Sequence, residues 1–126
     1  MPGHPHFSSA LAWHTRLSDA IAEASAANKR IFVQHGHARC AGSRALVEKV
    51  LAKDEIAEYV AENYVIVASD SEKTEPDVQA LLQGLPKREP TPVCIYLDPK
   101  GRVLSSTAGG RPPAVLLNDL VLAHAR

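Results

Sequence analysis

The stretch Ile31-Phe32-Val33, followed by His35-Gly36-His37-Ala38-Arg39-Cys40-Ala41-Gly42-Ser43-Arg44, decides how the chain is read. A short apolar strand leads into a junction, and a helix continues from it. The spacing places Cys40 at the start of that helix. A thiol there has two aids to ionisation, the unpaired N–H groups of the first turn and the positive end of the helix dipole. Arg39, Arg44 and His37 stand close in sequence and would add positive charge, lowering the thiol pKa further.

On the N-terminal side, Leu17, Ile21 and Ala24 fall on one helical stripe, with Ser18 as cap and Asp19 in the first turn. Asn28 ends that helix and Lys29-Arg30 leads into the strand. Trp13 is expected to pack this helix against a sheet. Residues 1–12, rich in Pro, Gly, His and Ser, read as a poorly ordered arm or extended lead-in before a domain spanning 13–126.

On the C-terminal side, Leu46 with Val50 and Val47 with Leu51 form the buried faces of a helix ending near Lys53. Asp54 caps another, with Ile56, Tyr59 and Val60 on one face. Tyr64 to Ala68 is a β-branched run and predicts a buried strand. Pro76 opens a helix that closes near Gly84. The proline-dense segment Pro86 to Pro92 breaks regular structure before the strand Val93 to Leu97. Asp98-Pro99-Lys100-Gly101 predicts a type I turn into Val103-Leu104, and Pro112-Pro113 starts a last helix with Leu116, Leu117, Leu120 and Val121 inward. Strands separated by helices pair in parallel, while the Pro-Gly turn makes one antiparallel hairpin. The expected fold class is α/β, a mixed sheet of about four strands flanked by helices.

At 126 residues the chain fits one domain with its own core. Lys plus Arg (14) balances Asp plus Glu (14), so charge gives no sign of a nucleic-acid or membrane partner. Lys87-Arg88 has no aromatic interleaving of the nucleic-acid kind. The N-terminus lacks the basic start and apolar run of an export signal, so the expected location is cytoplasmic. Two cysteines, Cys40 and Cys94, make neither a disulfide framework nor a paired zinc motif.

Two separated pieces of the chain agree with one family. A strand leading into a helix-opening cysteine, then Thr91-Pro92 before an apolar strand and a Pro-Lys-Gly hairpin, resembles the thioredoxin fold. Trp13 ahead of an Ala- and Glu-rich helix, then Lys and a strand, is similar to thioredoxin-like domains with an extra helix after the active-site helix. The C-terminal domain of the bacterial transmembrane thiol-disulfide reductase is one such domain. The resemblance implies that Cys40 is the attacking cysteine, that Pro92 is a cis-proline beside it, and that Thr91 offers a backbone edge to an extended substrate. It implies protein or glutathione disulfides as partners and no organic cofactor.

Two departures change the expected chemistry. Ser43 stands where the family has its second, resolving cysteine, and Arg39 where it has an aromatic residue. Serine cannot close a disulfide, so the motif Cys40-Ala41-Gly42-Ser43 leaves monothiol exchange, with Ser43 available to hydrogen-bond the thiolate. Alternatives remain open here. The same fold could serve as a non-catalytic interaction module or a redox sensor. His35, His37, Cys40 and Cys94 offer nitrogen and sulfur donors for a soft metal, although one residue between the histidines fits no structural zinc pattern. By alternation Cys94 shares a face with Tyr96; it is either a core cysteine or the group that resolves Cys40.

Overall fold

The computed structural model describes residues 3–126. Its elements, in chain order, are β1 (Trp13–His14), α1 (Leu17–Ala27), β2 (Arg30–Gly36), α2 (Ala41–Ala45) running into a π-helical turn (Leu46–Val50), and α3 (Asp54–Asn63). There follow β3 (Tyr64–Asp70), α4 (Pro76–Gln83), β4 (Val93–Leu97), β5 (Val103–Ala108) and α5 (Pro113–His124). The strands form one mixed sheet in the order β1-β3-β2-β4-β5. β1 and β2 both run parallel to β3, and β4 is antiparallel to β2 and β5.

Period-two alternation assigns each strand residue to one of two cores. On one face Ile31, Val33, Val65, Val67, Val93, Ile95 and Leu97 meet Leu17, Ala20 and Ala24 of α1 and Val78 of α4. On the other, Phe32, Ile66, Cys94 and Tyr96 meet Leu46, Val47, Ile56, Val60, Leu116 and Leu120 from the remaining helices. The shared face of Cys94 and Tyr96 is therefore the one that alternation assigns. Among the described residues no helix is long and apolar enough to cross a membrane.

The helix stops follow local chemistry. Asn28 takes the left-handed conformation at φ 54° and its N–H bonds Ala24 O, closing α1. Gly101, at φ 88°, lets its N–H reach Asp98 O at 2.9 Å and turns β4 into β5.

Several expectations are corrected. The sheet has five strands, not four, because Trp13 and His14 pair with Ile66 and Val67 at the edge of β3. Trp13 therefore lies on the face opposite α1, against Phe32 and the helices after Cys40, with Nε1–H donating to Ser9 Oγ at 2.9 Å. Neither Ser18 nor Asp54 is a cap; the extended residues before the two helices are Arg16 and Lys53, and neither makes a side-chain cap bond. The helix after Cys40 widens after one turn, with Leu51 N–H bonding Leu46 O at 2.9 Å. The lead-in, read as poorly ordered, packs on the body from Gly3 onward, while Met1 and Pro2 lie outside the described residues. Phe7 is only 6% exposed, and burying such a ring gives about 1.5–3 kcal/mol to hold the arm down.

Candidate active site

Cys40 sits where β2 has ended and α2 begins, with its own sulfur as the helix cap: Ser43 N–H donates to Sγ at 3.4 Å. The proline-rich segment approaches from the other side. Thr91 Oγ1–H donates to Sγ at 3.2 Å, and the thiol points back to Thr91 O at 3.6 Å. The Glu89–Pro90 and Thr91–Pro92 peptide bonds are both cis. Gly109 N–H fastens this segment to the end of β5 by donating to Pro90 O at 2.8 Å and Pro92 O at 2.9 Å.

Two glycines set the clearances. A Cβ on Gly42 would stand 3.0 Å from Pro92 Cδ and 3.9 Å from Sγ, so its absence lets the segment close on the thiol. A Cβ on Gly36 would stand 2.0 Å from Ser43 Oγ, so only glycine leaves Ser43 room beneath Cys40. Ser43 is fully buried. Its hydroxyl lies close enough to Sγ to stabilise charge there, yet makes no hydrogen bond of regular geometry.

These contacts set the acidity of the thiol. Partial burial acts first and raises the Cys40 pKa, but the nearby Ser43 hydroxyl, the Thr91 hydroxyl and the Ser43 and Gly42 N–H groups outweigh it. The result lies below the ordinary thiol range. Dipolar donors account for the shift. The expected charge modifiers are not among these influences, and the two arginines are engaged elsewhere. Arg39 pairs with Glu72, while Arg44 bonds Glu48 at 3.2 Å and lies over the Phe7 ring at 5.1 Å. His37 borders a cavity of about 230 Å³ with His4, His6, Gln34 and Asp70, which Cys40 does not line.

Cys94 is placed very differently. It is fully buried in β4, and burial, the largest of several influences, pushes its thiol up to about 12. Both cysteines are free. The donors considered for a metal do not converge. His35 sits on the face opposite Gln34 and Gly36, its Nδ1 paired with Ser69 Oγ at 2.9 Å. Among the described residues no group of three or more His, Cys, Asp or Glu side chains is arranged to hold an ion.

Sequence reasoning brought Cys40, Ser43, Thr91 and Pro92 together, and the structure places all four in one site. It missed Gly36, Gly42 and Gln34. The available signal was a glycine two residues beyond an apolar strand and a polar residue on that strand's buried face.

A family model described as thioredoxin-like matches residues 12–99. No curated protein matches the chain. Among solved structures it is similar to a thioredoxin from Thermus thermophilus, at 22% identity and a TM-score of 0.72, covering 89% of this chain and 85% of that one. A disulphide isomerase from Xylella fastidiosa is 18% identical with a TM-score of 0.70, covering 84% and 86%. The DsbH oxidoreductase is 15% identical, also with a TM-score of 0.70, covering 99% and 92%. At such identities these neighbours speak for the fold. The family match takes in the stretch from the residue before Trp13 through the Cys40 junction to the turn after β4, and on that basis this chain belongs to the thioredoxin-like family.

Proposed function

We propose that the protein carries out thiol–disulfide exchange with Cys40 as its single nucleophile. The observation that carries this reading is a partly exposed sulfur at a helix start, held among donors that favour its ionised form. The Cys40 thiolate attacks one sulfur of a substrate disulfide, the old S–S bond breaks, and the leaving sulfur departs as a thiolate. Cys40 is then joined to the substrate in a mixed disulfide. An external thiolate such as glutathione attacks that bond, forms a new disulfide with the substrate sulfur and returns Cys40 as a thiolate. A reducing compartment such as the cytoplasm supplies thiols of this kind.

Each group at the site has a part in this scheme. Thr91 and Pro92 form the edge along which an extended substrate lies, and Thr91 Oγ1 donates to the sulfur both as nucleophile and as leaving group. Ser43 takes the place of a resolving thiol and donates instead. Cys94, buried and protonated, stays in the core. That one solved neighbour is called an oxidoreductase and another a disulphide isomerase supports the reaction class.

Intact mass after exposure to oxidised glutathione tests the reading. The expected result is one glutathione adduct that is absent from Cys40→Ser and retained in Cys94→Ser. A loss of two hydrogens requiring both cysteines would replace the monothiol cycle with a dithiol one. No modification at all would sink the exchange reading and favour a non-catalytic interaction module.

A further inference from the structure

Gln34 is a polar side chain 1% exposed, on the face of β2 that lies under Cys40, and the thiol chemistry above gives it no task. Its Oε1 accepts a hydrogen bond from His4 Nε2 at 2.7 Å, across thirty residues of sequence. The state of His4 is fixed from behind. His6 N–H donates to His4 Nδ1 at 3.1 Å, which makes Nδ1 an acceptor and puts the proton of the neutral ring on Nε2. The ring is held in place by Phe7, stacked at 5.0 Å between centroids, and by Trp13, edge-on at 4.8 Å. Burial, the largest influence on it, favours the neutral form.

With Oε1 committed to His4, the amide orientation of Gln34 follows: Nε2 turns toward Gly36, 2.8 Å from the point where a Cβ would stand. Ser43 Oγ lies 2.0 Å from that same point. The missing side chain of Gly36 therefore leaves the Gln34 amide and the Ser43 hydroxyl bordering one small gap. Ser43 N–H already donates to Cys40 Sγ, and the Ser43 hydroxyl is buried without a regular partner.

We propose that His4, Gln34 and Ser43 form a hydrogen-bond chain from the N-terminal arm to the Cys40 sulfur, completed when the thiol ionises. Every donation in it runs the same way. His4 Nε2–H donates to Gln34 Oε1, Gln34 Nε2–H to Ser43 Oγ, and the Ser43 hydroxyl to the sulfur. In the thiol form the last two links are slack, since Ser43 Oγ has no hydrogen-bond partner there. A negative sulfur draws the Ser43 proton toward itself, which makes the oxygen a better acceptor for Gln34, and each bond polarises the next. His4 and Gln34 are thus positioning residues: they act on Cys40 through Ser43, and the arm becomes a working part of the site. The charged and titratable groups sharing the cavity with His4 are His6, His37, Asp70, Lys73 and Glu75, with His6 bonded to Asp70 at 3.4 Å.

This inference rests on the thiol reading, and its test separates the two. The measurement is the rate of Cys40 alkylation by iodoacetamide as a function of pH, on the full chain. His4→Phe keeps the stacked ring and loses both nitrogens; His4→Gln keeps a donor; Gln34→Met keeps the shape and loses the amide. His4→Phe and Gln34→Met are expected to raise the titration midpoint and slow alkylation near pH 6 about threefold, the size of effect one hydrogen bond removed from the charge delivers. His4→Gln is expected to recover most of that loss. In a Ser43→Ala background neither His4→Phe nor Gln34→Met should change the rate, because the final link is gone. An unchanged profile in His4→Phe, or an equal shift without the Ser43 hydroxyl, overturns the chain. Should His4→Phe fail to fold, an unchanged profile in Gln34→Met overturns it equally. A wild-type thiol titrating near the ordinary value of about 8.5 would instead remove the activated nucleophile, and the exchange reading with it. A low wild-type midpoint indifferent to His4 and Gln34 would remove only the chain.

Discussion

Cys40 and Cys94 lie on the same side of one sheet and differ in almost everything that governs a sulfur. Cys40 stands at a strand-to-helix junction, partly in water, with hydroxyl and N–H donors directed at it. Cys94 lies inside β4, shut away from solvent, in the core built on Phe32 and Tyr96. Burial raises both thiols, much more heavily at the enclosed Cys94, and only at Cys40 is it outweighed by donors. Thiol acidity in this molecule is set by the surroundings and not by the residue type.

The sharpest way to break the contrast is to give Cys40 a partner where the donor now sits. Ser43→Cys places a second thiol beneath the first, and oxidised glutathione should then yield an intramolecular disulfide, seen as a loss of two hydrogens with no persistent adduct. A persistent adduct in that variant would mean that the side chain at 43 cannot reach Sγ.

The two thiols also predict opposite slopes of stability against pH. The pKa of Cys40 is lowered on folding, so between its folded value and about 8.5 the unfolded chain binds more protons and stability rises with pH. The pKa of Cys94 is raised to about 12, so above about 8.5 the unfolded chain loses a proton that the native state keeps, and stability falls. The limiting slope for one proton is about 1.4 kcal/mol per pH unit, and Cys40 contributes the shallower arm because solvent screens it. Urea unfolding should show the rising arm lost in Cys40→Ser and the fall between about pH 8.5 and 10 lost in Cys94→Ala, since above about 10 the raised Tyr59, Tyr64 and Tyr96 also lower stability. Parallel curves for all three proteins would refute the contrast.

The smallest expected effect concerns the arginines. Arg39→Ala and Arg44→Ala should each change the Cys40 alkylation rate by less than about twofold, because their carboxylate partners already answer their charge. A fall of tenfold in either variant would show that long-range charge, and not local dipoles, sets the thiol.

The site was largely legible because its signals are local. A helix beginning after a strand, a cysteine at that point and a Thr-Pro before the next strand can all be read from neighbours in sequence. What escaped was decided by distant partners. The strand Trp13–His14 is two residues long and exists only because the edge of β3 accepts it. The arginines next to Cys40 carry long side chains whose direction is chosen by Glu72 and Glu48. The order of the arm depends on Phe7 finding a place between Arg44 and the core built on Phe32 and Tyr96, which no periodicity announces.

The double bond made by Gly109 has its own consequence. Pro90 and Pro92 carry no N–H, so these two positions can take part in backbone pairing only as acceptors. One amide proton, just past the end of β5, holds both of their carbonyls. Both proline carbonyls of the segment facing the sulfur thus share a single hydrogen, and the exchange of that hydrogen with solvent water is a clock for how often this tie to β5 opens.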